Sequence, residues 1–304
     1  MTLIAITGAT GFVGQALIDR ALVEGFTVRA LARREQPHRK GITWVHGDLS
    51  DAKALAKLTR RAEAVIHVAG VINAPDRDGF HAGNVAGTLS VVEAAKKAGV
   101  PRFVFVSSLS AREPKLSDYG GSKARAEKLV RASGLDWTIV RPPAIYGPRD
   151  REMLELFKLA RRRVLPMPPK VGRASLIHVD DLARLLLALV PAERRTAHRV
   201  LEPDDGRPGG WSHYEIARAI GWAVGRRPWV LHLSRPMLAR VARLDAWWRK
   251  DKAKLTPDRV SYMCHPDWVV SERARPPARL WQAEVETRAG LKATADWYRA
   301  QGWL

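Results

Sequence analysis

Cysteine is nearly absent from this sequence. Cys264 is the one thiol in 304 residues, which excludes an internal disulfide and any metal cluster held by cysteine alone, and it suits a reducing compartment. Long apolar runs are also missing. The longest inside a helical pattern, 185–190, falls far short of the roughly 20 residues that span a bilayer. The apolar start, 1–6, runs straight into Gly8 with no basic stretch or cleavage site, so it reads as a buried strand and not as a secretory leader. These absences point to the cytoplasm. Acids are scarce beside bases: 31 Asp and Glu against 51 Lys and Arg leave a formal net charge of +20. A field of that sign favours anionic partners such as nucleotides or anionic lipid surfaces, although a general arginine-rich bias would leave the same excess. No nucleic-acid motif accompanies the charge, so no nucleic-acid partner is expected.

What is present in the first half is a rhythm. Short β-rich runs at 3–7, 26–31, 43–46, 64–68, 102–107 and 137–141 alternate with helical patterns at 12–24, 83–98 and 119–132. Continuous apolar strands separated by helices imply a parallel sheet covered on both faces. The pattern changes near Pro142-Pro143. Basic helical segments over 151–163, a proline-rich stretch over 165–170 and a helix over 177–190 follow, and nine of the eleven tryptophans lie after 210. The expected architecture is α/β: a doubly wound parallel sheet over 1–150, with 175–202 returning to it, and a smaller, mostly helical lobe over 151–304 that closes on the substrate.

Thr7-Gly8-Ala9-Thr10-Gly11-Phe12-Val13-Gly14 sits between the first strand and the first helix. Glycines in that turn let backbone approach a pyrophosphate, and the helix N-terminus offers free N–H donors and a positive dipole end. Gly8, Thr10, Gly11, Phe12, Val13 and Gly14 are therefore candidate cofactor contacts. At the end of the second strand, where an acid would bind a ribose 2′-hydroxyl, Ala32 is followed by Arg33. Arginine suits a 2′-phosphate, so NADPH is expected to be preferred, with NAD as the alternative. Arg33 could instead face solvent or stack on adenine. Asp48 and Leu49 follow the third strand, where they could meet the adenine, and Ala69 and Gly70 follow the fourth, where a cofactor could lie close to backbone.

Tyr119 and Lys123 stand four apart at the start of a helix and share a face. A phenol with a pKa of about 10 is a poor proton donor–acceptor at neutral pH, and a neighbouring ammonium lowers that value. Tyr119 can then protonate a carbonyl oxygen, while Lys123 can also hold the nicotinamide ribose. Ser108, at the end of the preceding strand, could hydrogen-bond the same oxygen. Ser107 competes for that role, since neighbours on a strand face opposite ways. Asn84 could order the adjacent helix, and His178 and Asp180 read as helix-start residues. No metal site is expected.

These motifs resemble the extended or atypical branch of the short-chain dehydrogenase/reductases, the NAD-dependent epimerase/dehydratase family. The resemblance covers 1–190 and is carried by Thr7 to Gly14, Gly47-Asp48-Leu49, His67-Val68-Ala69-Gly70, Val106-Ser107-Ser108, Tyr119-Gly120-Gly121-Ser122-Lys123, Arg141-Pro142, Tyr146-Gly147-Pro148 and Ile177-His178-Val179-Asp180-Asp181. It implies Ser108, Tyr119 and Lys123 as the catalytic set and adds Pro142 to the cofactor contacts. The missing acid and the short loop before Tyr119 weaken a sugar-nucleotide reading. The chain is more similar to the subgroup that contains the nucleotide-binding accessory subunit of respiratory complex I and bacterial ceramide-type reductases. The resemblance thus implies an NADPH-dependent reductase of a hydrophobic ketone, such as a 3-oxo sphingolipid or ceramide precursor. A sugar-nucleotide epimerase or dehydratase and a non-catalytic cofactor-binding subunit are the alternatives. A monomer or a homodimer is expected.

In the last third, Met237, Val241, Leu244 and Trp248 form one helical stripe within 236–250, with Arg240, Arg243 and Lys250 on another face. The stripe either packs against the cofactor domain or meets an anionic membrane surface as a basic amphipathic helix. The second case would place the protein peripherally on the inner membrane face. Trp268, Trp281, Trp297 and Trp303 are expected in the core or the substrate pocket.

Overall fold

The computed structural model describes residues 2–249 and 255–304. In chain order the elements are β1 (Leu3–Thr7), α1 (Phe12–Val23), β2 (Thr27–Ala32), β3 (Ile42–His46), α2 (Ala52–Thr59), β4 (Ala64–His67), α3 (Arg77–Phe80), α4 (Gly87–Lys97), β5 (Arg102–Val106), α5 (Asp118–Arg131), β6 (Trp137–Val140) and β7 (Ala144–Tyr146). Then come α6 (Leu154–Arg161), β8 (Val164–Met167), β9 (Arg173–Ala174), β10 (Leu176–His178), α7 (Val179–Ala188), β11 (Arg199–Leu201), β12 (Trp211–Ser212), α8 (His213–Ala223), β13 (Trp229–His232), α9 (Arg235–Arg249), α10 (Pro257–Met263), β14 (Asp267–Trp268) and α11 (Thr287–Ala300).

The chain divides into two compact units. The first comprises Met1–Pro142, Asp180–Glu202 and Ala274–Gln282. Its seven strands lie in the order β11-β6-β5-β4-β1-β2-β3, and every pairing is parallel. The order reverses between β1 and β4, so the loops after these two strands diverge and leave a crevice at their carboxyl ends, the place where ligands bind in open α/β sheets. β4, β5 and β6 are buried along their whole length, which explains why they read as mostly apolar runs without polar alternation. Val45, Leu55, Leu58, Val91, Phe103, Phe105, Val130 and Ile139 share one core cluster. Inside that apolar sheet Arg102 is buried with its cation satisfied by Asp136 at 2.8 Å and the Leu189 carbonyl at 2.9 Å.

The second unit comprises Pro143–Val179, Pro203–Arg273 and Ala283–Leu304. α6, α8 and α11 enclose a core with Tyr146, Phe157, Leu165, Trp211, Ile220, Leu291 and Tyr298. Among the described residues small sheets accompany these helices: β7 with β10, β9 between β12 and β14, and β8 with β13. Some expected boundaries shift here. Ile177 and His178 pair with Ile145 and Tyr146 and so belong to a strand, and the helix begins only at Val179. The proline-rich stretch holds β8, because Pro166 sits in a two-stranded pair where its missing N–H is tolerated. The helix expected from 151 starts at Leu154, since the Asp150 carboxylate first takes the backbone N–H of Glu152 at 2.8 Å and of Met153 at 3.2 Å. Trp281 is buried in the first unit, its indole N–H on the Asp181 carbonyl at 2.9 Å. Trp297 and Trp303 pack with Tyr298, and the Trp268 indole donates to the Tyr262 carbonyl at 2.6 Å.

Candidate active site

The glycine-rich turn is built for close backbone approach. Gly8 adopts φ +71°, and a Cβ there would lie 2.6 Å from the backbone N of Ala69. Gly14 rests directly on the Gly8 carbonyl, so a side chain at position 14 would drive α1 off the turn. Gly11 caps α1 with extended backbone and no side-chain hydrogen bond to the first helical N–H groups. Thr10 and Gly11 are exposed, and Phe12 and Val13 are half-buried. The open helix end thus presents donors and a positive dipole to solvent, which fits an anionic pyrophosphate.

Ala69 and Gly70 follow β4, next to this turn. A Cβ on Gly70 would approach the Asn84 Oδ1 at 3.1 Å and the Lys123 Nζ at 3.4 Å. Gly70 is exposed and carries no side chain beside Asn84 and Lys123, which makes this edge of the sheet a candidate cradle for a flat cofactor. Arg33 is exposed just beyond β2, and its charge helps hold the Asp48 carboxyl below its ordinary range, after the larger effect of hydrogen bonds from Ser50. Leu49 packs partly into the sheet core, against the position of Gly87. The Pro142 carbonyl, beyond β6, accepts from the Leu109 N–H at 3.0 Å. All these residues lie at the carboxyl edge of the same sheet.

Behind the cradle runs a buried hydrogen-bond chain centred on His67. Thr88 donates to the Asn84 carbonyl at 2.6 Å, so its oxygen accepts from the His67 Nε2, 3.0 Å away. The His67 Nδ1 then accepts from Thr7 Oγ1 at 2.6 Å, and Thr7 in turn accepts from the Ala69 N–H at 3.3 Å. The network assigns the Nε2–H tautomer. Burial, reinforced by the Lys123 charge, pushes His67 down to about 3, so the ring is neutral and serves as a fixed spacer. Asn84 clamps the loop from its other side. It exchanges hydrogen bonds with both the Val71 N–H (2.7 Å) and carbonyl (2.9 Å) and donates to Ser122 Oγ at 2.9 Å. It stands in a π-helical turn, His81–Ala86, a local widening common at functional sites.

α5 has an unusual inward face. Gly120, Gly121, Ser122, Lys123 and Glu127 are buried on it together with Ala126 and Val130. Two glycines in a first turn cost helix stability, about 1 kcal/mol each against alanine. Here they permit contact. A Cβ on Gly120 would lie 2.7 Å from the Ser110 carbonyl, and one on Gly121 2.9 Å from the Pro114 carbonyl. The segment that starts at Ser108 therefore lies directly on the turn that carries Tyr119. Ser117 caps α5 by accepting from the Gly120 N–H at 2.9 Å, which fixes Tyr119 in the first turn, its ring 6.0 Å from that of Phe80.

Lys123 is buried, donates to the Val106 carbonyl at 2.8 Å and lies 4.6 Å over the Phe105 ring. Burial pushes it down to about 8, while the Glu127 carboxylate holds it from falling further. The two serines have different partners. Ser107 donates inward to Glu127 at 2.6 Å. Ser108 is half-buried, and its oxygen accepts from the Ser110 N–H at 3.2 Å and hydroxyl at 2.9 Å, which leaves its own proton to donate. Glu127 is bound by Arg141 through two hydrogen bonds, 2.8 and 2.7 Å, and Arg141 reaches Glu202 at 3.4 Å. Glu127 and Arg141 were not singled out as functional from the sequence. The signal was there in part: Glu127 lies four residues after Lys123, on the same helix face. In the second unit His178 lies edge-on to Tyr146 at 5.2 Å, and in the first Asp181 pairs with Arg184 at 2.6 Å. Among the described residues no group of three or more His, Cys, Asp or Glu side chains is placed to hold a metal ion.

Residues 8–191 match the family model described as NAD(P)H-binding. The chain belongs to this NAD(P)H-binding family. It is 40% identical to the ceramide reductase of Caulobacter vibrioides, in an alignment covering 99% of this chain and 96% of that protein. It is 32% identical, over 67% of this chain and 68% of the other, to a 4-hydroxy-2-methyl-3-oxo-4-farnesyl-3,4-dihydroquinoline-1-oxide ketoreductase of Stigmatella aurantiaca. Among solved structures, MoeE5 in complex with UDP-glucose and NAD superposes with a TM-score of 0.75 at 23% identity over 99% of both chains, a likeness of fold. The chain is thus an NAD(P)-binding oxidoreductase, and the glycine turn, the exposed Gly70 and the open α1 terminus fit its cofactor.

Proposed function

We propose that this oxidoreductase is an NADPH-dependent reductase of a hydrophobic ketone, with a 3-oxo sphingolipid or ceramide precursor as the substrate class. The similarity to a ceramide reductase along nearly the whole chain carries the reading. The polar inward face of α5, where Ser122, Lys123 and Glu127 each have a defined partner, supports retained chemistry and speaks against a purely structural subunit.

The bound cofactor would supply the hydride that reaches the carbonyl carbon. Gly8, Thr10, Gly11, Phe12, Val13 and Gly14 would hold its pyrophosphate, Asp48 and Leu49 would border the adenine, and Ala69, Gly70 and Pro142 would flank the rest. Arg33, with Ala32 in the place of an acid, would favour the 2′-phosphate of NADPH. Ser108 donates a hydrogen bond to the oxo group and sets its direction. Tyr119 gives its phenolic proton to that oxygen, and the Lys123 ammonium lowers the cost of the resulting phenolate. We assign substrate selection to the second unit.

The test is NADPH oxidation by the purified protein with 3-oxo lipids in detergent micelles, beside Tyr119→Phe. Turnover that the variant loses, with NADPH binding retained, is the expected result. NADPH binding without turnover of any 3-oxo lipid would overturn the substrate class, and tighter NADH than NADPH binding would overturn the role of Arg33.

A further inference from the structure

The second unit carries an apolar helix face that remains open to solvent. α9 buries Leu238 and Ala242 against Val260 of α10, with Leu233, Leu255 and Cys264 around them. At about 100° per residue these define one side of the helix. Met237, Val241, Leu244 and Trp248 fall within an arc of roughly 60° on another side, and all four are exposed. Trp247 and Trp248 show 81% and 83% of their surfaces to solvent. Arg240 and Arg243 are exposed beside them. Lys250, which the sequence placed at the end of this helix, lies outside the described residues.

The strand just before α9 repeats the chemistry. β13 exposes Trp229, at 77%, and Leu231, alternate residues of one strand face. Trp229 pairs with Val164 of β8, which is also exposed, and its N–H bonds the Arg163 carbonyl at 2.8 Å. Exposed arginines lead into both strands: Arg161, Arg162 and Arg163 before Val164, Arg226 and Arg227 before Trp229. Between Trp222 and Trp248 the chain has five arginines and a single acid, Asp245, whose carboxylate accepts the Leu255 N–H at 3.0 Å.

Large indoles and aliphatic side chains left exposed on one helix are costly in water, and the exposed arginines beside them add positive charge that suits an anionic surface. Indole rings settle at the boundary between headgroups and acyl chains, and guanidinium groups bind lipid phosphates. A second copy of the chain fits less well. Two such faces related by a two-fold axis would bring Arg240 and Arg243 toward their own counterparts without acids to meet them. We propose that the α9 face, through Met237, Val241, Leu244, Trp247 and Trp248 with Arg240 and Arg243, docks onto an anionic bilayer and lies within its interface. No described helix is long and apolar enough to cross a membrane. The docking stands on its own observations, and it would bring the proposed reductase to a substrate held in lipid.

The experiment is flotation of the full-length protein with vesicles of phosphatidylcholine alone or mixed with phosphatidylglycerol, at low and high salt. Two double variants of exposed residues accompany it, Leu244→Glu with Trp248→Glu and Arg240→Glu with Arg243→Glu. The wild type is expected to float with the anionic vesicles at low salt, and either double variant to lose at least about tenfold of that partition, with NADPH affinity and melting temperature unchanged. A wild type that stays at the bottom with anionic vesicles, variants that float like it, or equal flotation on neutral vesicles regardless of salt would each overturn the proposal. So would a wild-type dimer that both variants convert to monomer. Turnover in detergent is read separately: a protein that reduces its ketone in micelles but never floats refutes the docking face alone, and one that floats without turnover refutes the reductase reading alone.

Discussion

His67 offers a quantitative test of how the cofactor cradle is held. Its folded-state pKa is pushed from 6.5 down to about 3 by burial and by the Lys123 charge, so the folded protein refuses a proton that the unfolded chain accepts. The sign follows. Above about pH 6.5 the ring is neutral in both states and the full stability is present. As the pH falls below that value only the unfolded state gains a proton, and stability is lost progressively toward pH 3. With 1.36 kcal/mol per unit, the loss attributable to His67 between pH 8 and pH 5 is about 2 kcal/mol. Carboxylates contribute acid sensitivity of their own, so the assay is differential: urea unfolding of wild type and His67→Gln at pH 8, 6.5 and 5, with tryptophan fluorescence as the signal. The variant should be less stable at pH 8, where the buried hydrogen-bond chain from Ala69 to Asn84 is damaged, and its curve should converge on the wild type by about 2 kcal/mol at pH 5. Parallel curves that stay within about 0.5 kcal/mol of a constant offset would refute the reasoning, because the ring would then be titrating like an exposed histidine.

Further expectations concern the site itself. Gly14→Val should abolish measurable NADPH binding by calorimetry, since the new side chain meets the Gly8 carbonyl and displaces α1 from the turn. Ser108→Ala should lower kcat by roughly 10²-fold with little change in melting temperature. Ser107→Ala should instead cost about 1 kcal/mol of stability, because it removes one hydrogen bond to the buried Glu127 carboxylate while both Arg141 bonds remain. The ammonium of Lys123, pushed down to about 8, should give kcat an alkaline limb that falls as pH rises through that value. Glu127→Gln should move the limb to lower pH by removing the charge that supports the ammonium, and a pH–rate profile unchanged by this substitution would contradict the coupling.

The sequence by itself determined the parallel sheet. Strands such as β4, β5 and β6 are apolar on both faces because helices cover both, and that is readable without coordinates. The glycine turn and the Tyr119–Lys123 pair were legible for a similar reason: each is a local pattern, a turn followed by a helix start or a four-residue spacing on one face. Partners brought together across the sheet were not legible. Thr7, His67 and Thr88 come from β1, β4 and α4 and meet only because β1 and β4 are neighbours in a parallel order. The different partners of the two serines were likewise not legible: Glu127, twenty residues on in α5, takes the Ser107 hydroxyl. On α9 the sequence showed the stripe, and its period could not say whether the stripe was covered. Burial is a property of what packs against a face, and Leu238 and Ala242 took the inside while Met237, Val241, Leu244 and Trp248 were left in solvent.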